Sequence, residues 1–572
     1  MYAIEELKKE ISSVVEKACG EKPDFVKPPD GMGEIGTTIA FSLAEKLKKK
    51  PMEIAQDIAK KIKVPNMIAK VEAKGPYINF FVNDKFLKKV IEQAVEFKDC
   101  YGSGPVKKEK VLIEHTSVNP SGPVHIGRFR NPVIGDVLVR IHKFLGYPVH
   151  VQNYINDVGK QIAIIAWAKE KGMKPSKELI DKYKKYKDKP DFETFFLYVP
   201  ANAKVKEDEE SEKEVNSLLQ KCEAGDKKSL EKVKKVAELC LKGQKGVLER
   251  CGFYYDEFVF ESHYIENKDV EKITQKLKSL PAHQELSNGA HSLDLSDYGI
   301  TKEEGTVFQR ADGTSVYLTR DVCFHLDKFK KFDRSINVLG EDHKVEGEEI
   351  IAILDLLGEK TDKHSIVFFS FVNIAGKKMS TRMGETVPLD AVIDEGIEKA
   401  YKEVSKKNPD LPEKEKRAIA EAVGIGAIKY YIVKTEALKN IVFEWEKALD
   451  FNGDTGPYLQ YTYARANSIL KKAKTESKFD VSYLKEKEEK DLIDLLARFP
   501  ETVSQAGEQL KPYLVANYAY DLADKFNRFY HAHQVIQEDK DIEKARLALV
   551  TSVKNALGNA LSLIGLKTLE RM

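Results

Sequence analysis

Long apolar runs, close cysteine pairs and an excess of charge of one sign are all missing from this sequence, and each absence removes a class of protein. No uninterrupted apolar stretch approaches the ~18 residues of a membrane-spanning helix, and the greasiest segment, Ile366–Phe371, is strand-sized. The opening residues Met1–Glu10 read as an amphipathic helix with early acids, lacking the basic and apolar regions of a secretory signal; a cytoplasmic protein with no membrane partner is expected. Six cysteines (Cys19, Cys100, Cys222, Cys240, Cys251 and Cys323) are scattered without a Cys-x-x-Cys pair, so neither a disulfide framework nor a zinc site has a basis in the sequence. They are expected to be free thiols, mostly packing. Lys and Arg number 93 against 91 Asp and Glu, a net charge of +2, which argues against a polycationic coat protein. A local basic face remains compatible with a near-neutral whole.

What is present is the composition of a folded, multidomain chain. Charged residues make up 32% and apolar residues 42% of the 572, and at ~150 residues per domain about four units are expected. Residues 1–98 pattern as a small α+β module. Helical spacing at Ala3–Cys19 and Ile39–Lys63 brackets a Pro/Gly/Asp stretch, and the alternation of Ala73–Val82 predicts a strand with Phe80 and Phe81 on opposite faces. At most one of those two rings is then buried.

After a Gly/Pro/Lys-rich joint, Tyr101–Lys110, short buried strands alternate with helices: Val111–Ile113, a helix to Phe144, then Pro148–Tyr154. That alternation predicts a parallel sheet with crossover helices over 107–389. A Lys/Glu-rich helical insertion interrupts it at about 168–250, and strand-like segments resume at Phe258–Phe260, Thr306–Phe308, Ser335–Leu339 and Ser365–Ile374. Beyond Leu389 strand signals vanish, leaving a helical connector (390–435) and a helix bundle (436–572) without the fixed-period repeat of a solenoid. The expected fold class is thus α/β multidomain: a Rossmann-type parallel-sheet catalytic domain with a helical insertion, an N-terminal α+β module and a C-terminal all-α helix bundle.

Two segments carry chemistry. In Glu114–Pro132 a buried strand ends in a loop too rich in Ser, Asn, Pro and Gly for packing alone, and a helix follows. Ligands bind at such strand ends, where helix N-terminal N–H groups face an anion. Gly127 would let a nucleobase approach the backbone, and His125 could donate to a phosphate oxygen. Asn131-Pro132 reads equally as a helix cap and first-turn proline. The second segment, Gly376–Gly384, follows a strand and sets Lys377, Lys378 and Arg382 beside Ser380, a set able to clamp a polyphosphate. Taken singly, the first is as readily a plain loop and the second a solvated charge run.

Together and in this order, His125-Ile-Gly-Arg128 and Lys378-Met-Ser-Thr-Arg382 resemble the His-x-Gly-His and Lys-Met-Ser-Lys-Ser motifs of class I aminoacyl-tRNA synthetases. More specifically, the chain is similar to arginyl-tRNA synthetases over nearly its whole length. The likeness covers the N-terminal module, Asn119–Asp136, Asn153–Gln161, Tyr317-Leu-Thr-Arg-Asp321, Lys378–Gly384, Gly453-Asp-Thr-Gly-Pro-Tyr-Leu-Gln-Tyr461 and the closing Glu570-Arg-Met572.

The resemblance implies ATP with Mg²⁺, L-arginine and tRNA(Arg) as partners, a monomer, and activation of arginine that needs bound tRNA. It implies that Tyr317 and Asp321 read the arginine side chain, that Ser117 and Asn119 hold its α-amino end, and that Glu114 is a pocket position. On spacing alone Tyr317 and Asp321 share a helix face, suited to a guanidinium, but an ion pair with Arg320 fits as well. Glu114 could equally be a strand-end acid paired with a lysine. For tRNA, the bundle interleaves aromatics with cations at Tyr458, Tyr461, Tyr463, Arg465 and Asn527–Tyr530, with Gln460 a further candidate beside them, and the resemblance implies that the N-terminal module contacts tRNA, with Lys74 and Asn79 as candidates. Aromatics interleaved with cations suit unstacked bases, while core packing accounts for Phe526 and Phe529. Three positions depart from the family pattern: Arg128 stands for the second histidine, Thr381 for the second lysine, and His343 for a pocket glutamine.

Two other readings remain open at this point. One is a nucleotidyl transferase with a small acceptor, which leaves the long helical C-terminal region without a use. The other is a noncatalytic RNA-binding paralogue, which would have no reason to keep both loops and the cation pocket.

Overall fold

The computed structural model describes residues 1–29, 31–374, 387–473 and 478–572. The first expected helix forms over Ala3–Cys19, with Ile4, Leu7, Ile11 and Val15 buried along one stripe. The span Ile39–Lys63 is two helices, Ile39–Leu47 and Pro51–Lys61, because proline at 51 cannot donate to a preceding turn and starts a new one. The expected single strand is a hairpin. β1 (Ile35–Thr37) and β2 (Ile68–Lys74) flank β3 (Tyr77–Val82), and the chain turns between β2 and β3 at Gly75, whose φ of 60° suits glycine. Phe80 is fully buried, while Phe81 is half-buried beneath the Lys70 ammonium, as the alternation requires.

The N-terminal module does not stand alone. Residues 1–104 pack with 451–508 and 514–572 into one compact unit, and 105–450 with 509–513 form the other. Within the first unit, Asn559 Nδ2 donates to the carbonyls of Lys98 (2.9 Å) and Tyr101 (3.0 Å), and the Tyr101 hydroxyl donates to Leu496 O (2.9 Å). The bundle helices run Gly456–Lys472, Lys487–Glu508, Tyr513–Ala532 and Lys540–Leu563. Thr455 caps the first of them by accepting from Tyr458 N, and Pro457 sits in its opening turn, so part of the Gly453–Tyr461 block is explained by helix initiation.

The second unit is built on β4 (Val111–Glu114), β5 (Val149–Ile155) and β6 (Glu257–Phe260). Next come β7 (His283–Glu285), β8 (His291–Leu293) and β9 (Thr306–Gln309), which make a separate antiparallel sheet. The Thr306 segment expected in the main sheet therefore lies outside it. β10 (Arg334–Gly340) and β11 (His364–Phe369) complete a five-stranded, all-parallel sheet in the order β11-β10-β4-β5-β6. The chain winds outward from β4 in both directions, which is the doubly wound arrangement expected. β12 (Val372–Ile374) is separate from β11 and pairs in parallel with β13 (Ile441–Phe443), a strand the helical pattern beyond Leu389 concealed.

The insertion is helical throughout, from Lys177–Lys182 and Pro190–Glu207 to Glu209–Glu223 and Lys227–Arg250. All six cysteines are free, four of them buried. No described helix is long and apolar enough to cross a membrane.

Candidate active site

β4 and β10 are neighbours that lead to opposite halves of the sheet, so a crevice opens beyond their carboxyl ends. β4 stops at Glu114, and two residues later Thr116 takes a left-handed φ of 72°, uncommon for a β-branched residue. Three groups hold that bend. Asn131 Oδ1 accepts from Thr116 N (2.6 Å), the Tyr255 hydroxyl donates to Thr116 Oγ1 (2.7 Å), and His115 Nδ1 lies 2.8 Å from the same hydroxyl. Asn131 is not the helix cap its sequence suggests. It is buried inside the helix Arg130–Phe144, and its Nδ2 donates to Val338 O (2.8 Å), which latches the ends of β4 and β10 together.

The loop beyond is fixed by long side chains. Gln161 Oε1 accepts from Ser121 Oγ (2.8 Å) and Asn119 Nδ2 (3.4 Å), and Gln244 Nε2, from the insertion, donates to Gly122 O (2.7 Å) and Asn119 O (3.1 Å). His125 then pairs by backbone with Pro388: Ile126 N donates to Val387 O and Leu389 N to Val124 O (2.7 Å). The chain just after the second motif is thus hydrogen-bonded to the first. Lys377, Lys378, Ser380, Thr381 and Arg382 themselves lie outside the described residues.

A cavity of about 560 Å³ fills the crevice, within the range of small-ligand pockets. Glu114, Ser117, Asn119, His125, Arg128, Tyr317, Asp321 and His343 all line it, so residues from three separate stretches of sequence meet there. Gly127 is buried in the 3₁₀ turn Ile126–Arg128 behind the lining. Glu261 also faces the cavity, together with Tyr154, Asn156, His325 and Asn337, none of which sequence reasoning gave a role. Tyr154 lay within the Asn153–Gln161 block, which was the available signal; Glu261 follows an ordinary strand and carried none.

The acids of the pocket differ in their partners. Arg320, fully buried, pairs with Glu261, reaches Glu223 at 3.6 Å and packs its guanidinium 4.8 Å from the Tyr317 ring centre. Glu114 pairs with Lys328, as its alternative reading had it, and Glu346 hydrogen-bonds His343 Nδ1 (2.9 Å). The Asp321 carboxyl has no hydrogen-bond or ion-pair partner among the described residues. Burial first, then the charges of Glu261, Glu346 and Glu114, push it well above the usual carboxylate range. Burial, with Arg128 adding to it, holds the His125 imidazole down at about 4, and its Nδ1 is buried without a partner. The hydrogen bond to Glu346 raises His343. Arg128 lies 3.8 Å from Asp342 and over the Phe371 ring.

In the other unit, Tyr458, Tyr461 and Arg465 line a cavity of about 620 Å³ with Asn452, Asn527, Arg528 and His531. The Arg465 guanidinium lies 4.9 Å from the Tyr461 ring centre and 5.0 Å from that of Tyr530, and it bonds Asn527 Oδ1. Phe526 and Phe529 are core, as expected. Two residues read as RNA contacts are buried instead. Gln460 is fully enclosed, with Nε2 donating to Lys567 O (2.9 Å), and Asn79 is 4% exposed on the central strand β3. Lys74 is exposed at the hairpin end, paired with Tyr77, whose ring is exposed and in edge contact with Phe41.

Comparison with known proteins gives a consistent result. A family described as tRNA synthetases class I (R), catalytic domain, matches residues 90–445; the arginyl tRNA synthetase N terminal domain matches 4–82 and the DALR anticodon binding domain 459–572. An arginine–tRNA ligase from Methanocella arvoryzae is 42% identical over 94% of both chains, and one from Methanospirillum hungatei is 39% identical over 98% of this chain and 99% of its own. Among solved structures, the arginyl-tRNA synthetase of Thermus thermophilus superposes with a TM-score of 0.84 at 28% identity, covering 99% of this chain and 100% of its own. With its cavity at the switch point of a doubly wound sheet and these relatives, the chain belongs to the arginyl-tRNA synthetase family of class I aminoacyl-tRNA synthetases.

Proposed function

We propose that the cavity holds L-arginine with its guanidinium between Tyr317 and the Asp321 and Glu261 carboxylates, and its α-amino end at Ser117 and Asn119. ATP lies with its phosphates at His125, Arg128, Lys377, Lys378, Ser380 and Arg382. Attachment of arginine to tRNA through an aminoacyl adenylate is the reaction of the family and of this chain. The observation that carries the residue assignment is the unpaired Asp321 carboxyl facing a cavity whose neighbouring acids Glu114 and Glu261 already have internal cations.

An arginine α-carboxylate oxygen attacks the α-phosphorus, pyrophosphate leaves, and the terminal ribose hydroxyl of tRNA(Arg) then displaces AMP from the carbonyl. Positioning and charge stabilisation do most of this work, and no covalent enzyme intermediate is needed. His125, neutral above about pH 4, serves as a hydrogen-bonding group to phosphate rather than as a fixed charge. Mg²⁺ is read as arriving on the ATP phosphates. Tyr458, Tyr461, Arg465 and Lys74 are the RNA-facing candidates that remain at the surface. The enzyme acts as a cytoplasmic monomer in this reading.

Aminoacylation of total tRNA with each amino acid in turn tests the assignment. Charging by arginine is expected; charging by lysine or glutamine instead overturns it, and no charging at all favours an RNA-binding paralogue. Pyrophosphate exchange is expected only with tRNA present, and equal rates without tRNA would refute that dependence.

A further inference from the structure

The Lys/Glu-rich insertion meets both the loop that leads to His125 and the chain that pairs with it. On the loop side, Gln244 Nε2 (2.7 Å) and Cys240 Sγ (3.4 Å), from the helix Lys227–Arg250, both donate to Gly122 O. Gly122 lies against Phe195, where a Cβ would come within 3.1 Å of that side chain. On the other side, the helix Leu389–Lys407 begins where Val387–Leu389 pairs by backbone with Val124–Ile126. Its first turn carries Asp390, 6% exposed, which accepts from Lys189 Nζ (2.5 Å). One turn on, Asp394 pairs with Lys185 (2.5 Å) and Arg250 (2.8 Å) and accepts from the Tyr186 hydroxyl (2.7 Å).

Lys189 stands at the centre of this junction. Its ammonium also lies 3.6 Å from Oδ2 of Asp191, which is fully buried and wedged against Gly243, where a Cβ would sit 2.2 Å from Asp191 Oδ1. One cation is therefore paired with two enclosed carboxylates. A buried pair of this kind is a weak source of stability, but its directional, charge-assisted hydrogen bond fixes where its partners lie. His125 depends on that placement. Its Nδ1 is buried without a partner, so the direction of the ring follows the backbone of Val124–Ile126, which Val387 O and Leu389 N hold.

We infer that Lys189 is a positioning residue for adenylate formation: through Asp390 it holds Val387–Leu389 in register with Val124–Ile126, and so keeps the His125 imidazole aimed at the ATP phosphates without touching substrate. Lys189 does not line the cavity. The inference rests on the reading of His125 as a phosphate ligand given above. It gives the insertion a part in activation, with Gln244 securing one side of the His125 segment and Lys189 the other. An aliphatic residue at 189 would leave Asp390 and Asp191 as two unbalanced acids under the first turn of the helix, and their repulsion would displace that turn and the strand it continues.

Pyrophosphate exchange by the full-length enzyme, with tRNA present, separates positioning from mere support of the fold. Lys189→Met is expected to lower kcat for exchange roughly tenfold to a hundredfold, the scale of a reacting group displaced by ~1 Å, with the arginine KM within about twofold of wild type. A rise in arginine KM as large as the fall in kcat would mean a general disturbance of the domain and overturns the inference. The double variant His125→Ala/Lys189→Met gives a second reading. If Lys189 acts through His125, the pair is within about twofold of His125→Ala alone, whereas a further loss of about tenfold overturns the inference. Because two unbalanced buried acids threaten folding, Asp390→Ala, which leaves Lys189 paired with Asp191, decides the matter independently: the same fall in kcat is expected, and an unchanged kcat overturns the inference. A His125→Ala enzyme that exchanges pyrophosphate as fast as wild type would instead remove the phosphate reading of His125 itself.

Discussion

Asp321 shows how a single side chain can be arranged for binding at the expense of the empty fold. Its carboxyl is pushed up by burial and by neighbouring acids, which a bound guanidinium would offset. Protonation competes with arginine, so the arginine KM is expected to fall as pH rises above the ordinary aspartate range, a slope that Asp321→Ala abolishes. Asp321→Ala should raise the arginine KM by at least about tenfold and leave that of ATP nearly unchanged; equal effects on both would move Asp321 out of the pocket. The stability sign is opposite to that of a paired acid. A carboxyl raised in the folded state binds more protons there than in the unfolded chain, so it weakens the empty enzyme as pH rises through and above the ordinary aspartate range. Asp321→Asn is therefore expected to raise the melting temperature at neutral pH while removing arginine binding, a combination checked by thermal unfolding beside aminoacylation.

At the scale of elements, the latch between β4 and β10 gives the site its shape. Asn131 satisfies Thr116 N and Val338 O from within a helix, and Asn131→Ala leaves both backbone groups without that partner at a cost of about 1–3 kcal/mol each. Thermal unfolding should register the loss, and activity should fall further than stability as the loop leading to His125 relaxes. Gly135, one turn along the same helix, faces His115 so closely that a Cβ would lie 2.3 Å from that side chain; Gly135→Ala is expected to disturb the same bend through overpacking.

Periodicity made the parallel sheet and the insertion legible, because buried strands leave local marks, whereas the expected pocket residues came from the likeness of their motifs to a known family. The β2–β3 hairpin was missed where Gly75-Pro76 interrupted what read as one strand, and β13 was hidden because three residues pairing with a distant strand leave no periodic signal. Gln460 and Asn79 were misplaced for a related reason. A polar side chain inside a core looks the same in sequence as one on the surface, and Gln460 donates to Lys567 O, more than a hundred positions away. Glu261 was invisible because its partners Arg320 and Glu223 come from two other segments.

At the scale of the molecule, the chain divides where its composition did not suggest. The N-terminal module and the C-terminal bundle, read as separate ends, share one unit, and the apolar face of the helix Asp84–Phe97 packs on Lys487–Glu508 and Lys540–Leu563. Residues 451–572 expressed alone are expected to unfold without a sharp transition, and addition of 1–104 in trans should restore one; a cooperative melt of the bundle alone would contradict this.

Biosynthesis meets the same discontinuity as a delay. About 350 residues must be translated between Gly104 and Phe451, which at ~5–20 residues per second takes on the order of 20–70 s. Throughout that interval Phe86, Leu87, Val90 and Ile91, buried in the finished protein, have no bundle to cover them. Stalled chains ending before 451 are therefore expected to be cleaved within 84–97 by a protease that spares the completed enzyme.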